Sequence, residues 1–154
     1  MMIFQRVMLA AMLVLLPLLA QADDSARARE ALQQLGQGLQ ARDAGRVREL
    51  LAPGVVVTVT LVEPDSTPTF SFGREEFLQT YTSLWRFSSK EKVEMTVRSF
   101  KQEAEGDWLA TADIREQMLV LGEDYRREST MTCHVRKRNE RFVIEAVGMR
   151  TVIR

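Results

Sequence analysis

The chain has 154 residues, of which 45% are hydrophobic and 27% charged, the makeup of a soluble globular protein large enough for one domain. Its 21 Lys and Arg balance its 21 Asp and Glu. The basic excess needed to neutralise phosphates is therefore missing, and neither nucleic acid nor an anionic membrane surface is expected as a partner.

Residues 1–22 read as a signal peptide. Arg6 is the only charge in that stretch, Val7 to Ala20 is an apolar run, and Ala20-Gln21-Ala22 sets small residues around a cleavage point after Ala22. The run is 14 residues long, too short for a membrane-spanning helix of about 20, and two aspartates follow it. Asp23 stands where a lipoprotein would carry cysteine, so no stable membrane anchor is expected. The expected location is periplasmic or secreted, with 23–154 as a single domain. Cys133 is the only cysteine, so the fold holds without an intrachain disulfide.

Ala28, Leu32, Leu35 and Leu39 recur at three- and four-residue steps and predict a helix over Ser25–Arg42, capped by Asp24 or Ser25. Asp43 caps a short second helix carrying Val47, Leu50 and Leu51, which Pro53-Gly54 ends. The β-branched run Val55–Val62 predicts a strand, and Glu63–Thr69, with Pro64 and Pro68, a loop. Helical spacing returns over Gly73–Phe87 with Phe77, Leu78, Tyr81, Leu84 and Trp85.

Beyond residue 90 the pattern has period two and predicts four strands, Val93–Lys101, Asp107–Leu119, Tyr125–Lys137 and Arg141–Ile153. Turn signals separate them at Glu105-Gly106, Gly122-Glu123-Asp124 and Asn139-Glu140. A two-residue turn at Asn139-Glu140 pairs Val135 with Ile144 and Cys133 with Ala146. Pairing Met118 with Tyr125 sets Ala112 opposite Met131, Ile114 opposite Ser129 and Glu116 opposite Arg127. The buried face then reads Ala110, Ala112, Ile114, Met131, Cys133, Val135, Phe142, Ile144 and Ala146. The other face reads Thr111, Asp113, Arg115, Thr130, Thr132, His134 and Glu145, with Val143, Val147 and Met149 on the last strand.

This order of elements resembles the nuclear transport factor 2-like superfamily, including its SnoaL-like proteins. The resemblance rests on the turn Asp43-Ala44-Gly45 before a short helix ending in Leu50-Leu51-Ala52-Pro53, on a third helix anchored at Gly73, and on Phe142-Val143-Ile144 after Asn139-Glu140. It implies an α+β, cystatin-like fold in which three N-terminal helices pack on a strongly curved antiparallel sheet. The sheet wraps into a cone with an apolar pocket at its open end, and many members form homodimers through its outer face. The superfamily holds isomerases, dehydratases, ligand binders and structural modules, so the resemblance assigns no activity.

At the polar end of the inner face, parity brings together Glu116, Arg127, Ser129 and Arg150, with Tyr81 and Trp85 beside them. Two arginines against one carboxylate favour an anionic small-molecule ligand in an apolar pocket. The plainer alternative is a cross-strand Glu116 to Arg127 pair, with Tyr81 and Trp85 as core aromatics. Asp113 and His134 are the candidates for a catalytic base, but parity puts both on the outer face, and a cation beside Glu116 keeps that carboxylate weakly basic. One histidine and one cysteine supply no metal set, and no cofactor is expected. The expected function is a non-catalytic periplasmic or secreted module binding a small, anionic ligand or a protein partner. A cofactor-free isomerase or hydro-lyase of SnoaL or ketosteroid isomerase type is the alternative.

Overall fold

A computed structural model describes the backbone of residues 2–154 and the side chains from residue 20 onward. Helix α1 spans Met2–Gln40 and starts well before the expected Ser25; the reading of residues 1–22 as a cleaved leader falls almost wholly on side chains outside the described residues. Among the described residues no helix is long and apolar enough to cross a membrane. Ala28, Leu32, Leu35 and Leu39 form the buried stripe of α1, joined by Ala31.

Asp43 caps α2 (Ala44–Leu50) by accepting a hydrogen bond from the Arg46 amide at 3.0 Å. Strand β1 (Leu51–Val62) follows without a break, so Leu51 belongs to the strand and not to the helix, and Pro53-Gly54 lies within the strand. The short strand β2 (Thr69–Phe72) pairs with β1 beyond the proline loop. Helix α3 (Arg74–Phe87) starts where the Glu76 carboxylate accepts from the Gly73 amide at 2.9 Å, and it buries Phe77, Leu78 and Tyr81.

Three long antiparallel hairpin-linked strands come next, β3 (Ser88–Ala104), β4 (Asp107–Val120) and β5 (Glu123–Arg138), and β6 (Arg141–Ile153) closes the order. The β5–β6 turn puts Asn139 and Glu140 at φ 46° and 62°, the left-handed pair that matches a two-residue turn to strand twist. The strand order is β2-β1-β6-β5-β4-β3. Every neighbouring pair is antiparallel except β1 and β6, which run parallel, so the sheet is mixed where an antiparallel one was expected. The chain passes through β2, α3 and then β3, β4 and β5 before β6 returns beside β1. No turn residue announces that neighbour.

Register through β4 and β5 is as read from the sequence, with Ala112 facing Met131, Ile114 facing Ser129 and Glu116 facing Arg127. On β6 it is not. Val135 faces Ile144, but Cys133 faces Val147 and His134 faces Ala146, because Glu145 is an extra residue in β6. This bulge is held from outside: Glu145 accepts from Arg136 Nη1 at 2.8 Å and from Arg138 Nε at 2.6 Å. One added residue reverses every later side chain. Val147, Met149 and Thr151 therefore face the core, Ala146 leaves it, and Arg150 points outward beside Thr130.

The helices cover the inner face, where Trp108, Ala110, Ala112, Ile114, Met131, Cys133, Val135 and Ile144 are all at most 2% exposed. Trp108 stacks with Phe100 and takes the edge of Phe142, with ring centroids 6.4 and 5.6 Å away.

Candidate ligand-binding site

Glu116 is the charged residue buried most deeply in this face, with its side chain fully covered. Arg127, directly across on β5, meets it with two parallel hydrogen bonds, Nε to Oε2 at 2.5 Å and Nη2 to Oε1 at 2.8 Å. That fork satisfies both carboxylate oxygens, as a buried charge requires. Among the described residues the third guanidinium nitrogen, Nη1, has no hydrogen-bond partner. The guanidinium lies over the Tyr81 ring, with Cζ 5.2 Å from its centroid.

A cavity of about 280 Å³ opens on Arg127. Its walls come from β1 and β2 (Val59, Leu61, Phe70, Phe72), from α3 (Phe77, Thr80, Tyr81) and from the end of β6 (Met149, Thr151, Ile153). The apolar walls surround few polar groups, the usual design of a small-molecule site, at the lower edge of the roughly 300–1,000 Å³ such sites span. Phe70 and Ile153 are 46% and 48% exposed and form its rim.

The polar groups of the cavity are the Arg127 guanidinium and the hydroxyls of Thr80, Tyr81 and Thr151. Thr80 spends its hydroxyl on the Phe77 carbonyl at 2.7 Å. Thr151 shares one hydrogen bond of 2.9 Å with Ser129, both buried, which leaves one of the two hydroxyl protons without an acceptor. Burial pushes the Tyr81 phenol above its usual range, so it stays a neutral hydroxyl. With the Arg127 guanidinium, each polar group lining this space carries a proton, and no carboxylate lines it.

The expected site residues divide accordingly. Glu116, Arg127 and Ser129 are brought together at the inner face, and Tyr81 lines the cavity. Trp85 sits one turn further along α3, its ring centroid 5.7 Å from that of Tyr81, and is not part of the wall. Arg150 is turned away by the Glu145 bulge, and Thr151 takes the place expected for it. Asp113 is on the outer face, bonded to Arg98 and accepting from the Thr130 hydroxyl. His134 is on the same face, with Nδ1 3.5 Å from Asp107 Oδ1. Sequence reasoning missed the β1–β2 wall: β2 has four residues, too few for a periodicity to show, and Phe70 and Phe72 were the only signal.

No family model matches the chain, and no curated protein does. Solved structures do match it. A conserved protein from Planctomyces limnophilus superposes with a TM-score of 0.72 at 13% identity, over 86% of this chain and 99% of its own. The fold is nuclear transport factor 2-like. A ketosteroid isomerase-like protein from Erwinia carotovora atroseptica superposes with a TM-score of 0.66 at 12% identity, covering 82% of this chain and 94% of its own. A type 3 hexachlorocyclohexane dehydrochlorinase from Novosphingobium barchaimii gives 0.69 at 14% identity, covering 86% and 89%. At such identities the likeness extends to the nuclear transport factor 2-like fold and not to an activity.

Proposed function

We propose that this chain is an exported, non-catalytic module that binds a small, largely apolar molecule by an anionic head group. The observation that carries this reading is Arg127. Glu116 fixes its orientation with two hydrogen bonds, and the guanidinium lines an apolar cavity whose other polar groups are hydroxyls. A carboxylate or similar acceptor complements the guanidinium and can also accept from the hydroxyls, whereas a cation would meet a like charge. An isomerase or hydro-lyase needs a base with a free lone pair at the ligand. Both oxygens of Glu116 are engaged, and Asp113 and His134 face the other way.

The test is calorimetric titration of residues 23–154 with decanoate and with decanol, which share a tail and differ in the head. Decanoate binding that Arg127→Ala weakens at least tenfold, with decanol weak throughout, is the expected result. Equal affinity for the two, or decanoate binding unchanged in Arg127→Ala, overturns the reading. Export is checked by N-terminal sequencing of the protein recovered from outside the cytoplasm, which begins at Asp23 if cleavage follows Ala22. The outer sheet face is read as the contact between two copies, and native mass spectrometry of the same material reports its mass.

A further inference from the structure

The sheet ends at β3, which has a strand neighbour, β4, on one side only. Its open side is blocked at the start. The Val93 amide donates to the side-chain carbonyl of Gln40, at the end of α1, and Gln40 Nε2 donates to the Glu91 carbonyl at 3.5 Å. One side-chain amide thus takes the place of a strand there and keeps that part of the edge from pairing with another. The other limit is the irregularity between Val97 and Ser99, where Arg98 is the extra residue opposite β4. Regular, open edge is left over residues 94–98.

Helix α1 stands away from this stretch. A cleft of about 500 Å³ separates Gln33, Gly36 and Gln37 on the helix from Met95, Thr96 and Val97 on the strand. Met95 and Val97 face the inner side yet stay half-buried, while their neighbours on β4, Ile114 and Ala112, are at most 1% exposed. Alternate residues of a strand turn their backbone groups to the same side, so Met95 and Val97 offer their N–H and C=O where Val93 does.

The stretch reads Glu94-Met95-Thr96-Val97-Arg98, and it complements itself. Laid antiparallel on a copy about a twofold axis at Thr96, it sets Met95 opposite Val97 and Glu94 opposite Arg98. Apolar side chains then meet apolar ones, each carboxylate meets a guanidinium, and both Met95 to Val97 pairs exchange backbone hydrogen bonds. An axis at Met95 brings Lys92 against Arg98, and one at Val97 sets Glu94 against Phe100 and runs into the bulge. Glu94 and Arg98 are able to change partners cheaply. Their present ones are Lys92 and Asp113, and the side chains of Lys92, Glu94 and Arg98 are 67%, 54% and 67% exposed, a setting in which ion pairs contribute little.

We propose that residues 94–98 of β3 form an edge-to-edge contact between two copies of this chain, joining their sheets across a twofold axis at Thr96. The contact is isologous and closes at two copies. A strand this short makes a small, reversible interface, which covalent trapping suits. It is separate from the cavity and from a contact through the outer sheet face.

The test is disulfide trapping of the full chain in a glutathione redox buffer, in a Cys133→Ala background. In this register Thr96 and its copy are a non-hydrogen-bonded pair with Cα atoms about 4.5 Å apart, within disulfide reach. Lys101→Cys is the control, an exposed position on the same strand that lies about 30 Å from its copy. Thr96→Cys is expected to give covalent dimer at least tenfold faster than Lys101→Cys, and equal rates overturn the proposal. Glu94→Arg added to Thr96→Cys lowers trapping at least tenfold, and Arg98→Glu added to both restores it. A reversal without effect, or without rescue by the second substitution, overturns the register and the proposal with it. Thr132→Arg, in the middle of the outer face, leaves trapping at position 96 unchanged; its loss there means that the copies meet through the outer face instead, and the edge contact is overturned.

Discussion

Strand β4 carries two carboxylates three residues apart, and the pleat sends them to opposite faces of the sheet. Glu116, on the inner face, is fully covered and meets Arg127 through two hydrogen bonds, while Asp113, on the outer face, meets an Arg98 whose side chain is 67% exposed. Both are acid and guanidinium pairs across neighbouring strands. Only their solvent differs. Outside, water and salt screen the attraction and compete for each partner. Inside, the pair is held because either charge alone would be costly, and the price of that burial is a guanidinium fixed in one place with one nitrogen to spare.

Reactivity separates the two faces most widely. Burial pushes the Cys133 thiol up to about 12, against an ordinary value of 9.0. At pH 8 its thiolate fraction, and so its alkylation rate, is about a thousandfold lower than that of an exposed thiol. A cysteine placed next door on the exposed side, Thr132→Cys in a Cys133→Ala background, reacts at the ordinary rate. Iodoacetamide labelling followed by mass spectrometry measures both.

Stability gives the next contrasts. Trp108→Ala empties the part of the inner face beside the β3–β4 turn and costs about 3–5 kcal/mol by urea denaturation. Glu116→Ala strands the Arg127 charge and costs about 3 kcal/mol, whereas replacing both residues together, Glu116→Leu with Arg127→Met, restores most of the loss. Asp113→Ala costs at most about 1 kcal/mol and loses even that in 1 M salt. The comparison fails if Asp113→Ala and Glu116→Ala cost the same. The smallest effect is at a turn tip: Leu121 sits at φ 53° with 81% of its surface exposed, and Leu121→Asn raises stability by up to about 1 kcal/mol, since asparagine tolerates that conformation better.

How far the sequence was legible follows the same parity. Helix stripes and caps at Leu32, Asp43 and Phe77 involve neighbours within a turn or two, so spacing alone reveals them. The Glu116 to Arg127 pairing was legible because Met118 pairs with Tyr125 as read, although the turn closes at Leu121-Gly122 and the expected turn residues Glu123 and Asp124 already belong to β5. Arg150 was misplaced because the count from Asn139 passes through Glu145, and a bulge held by Arg136 and Arg138 leaves no mark on composition. Glu91 was hidden for a related reason. Flanked by lysines it reads as solvated, and only the left-handed turn at Lys90 and its pairing with Arg42, 49 residues away, bring it inside. Partners that far apart in sequence are set by the whole fold and not by any local pattern.

The place of β6 between β1 and β5 governs how the molecule can be assembled. The strand made last is the one that joins the two halves of the sheet, and its parallel seam with β1 closes a span of about ninety residues. A nascent chain lacking β6 has two unjoined halves, each with a bare edge. The domain therefore cannot mature piecemeal from its leading end; its folding waits on the final stretch, with the slow kinetics that distant pairings impose.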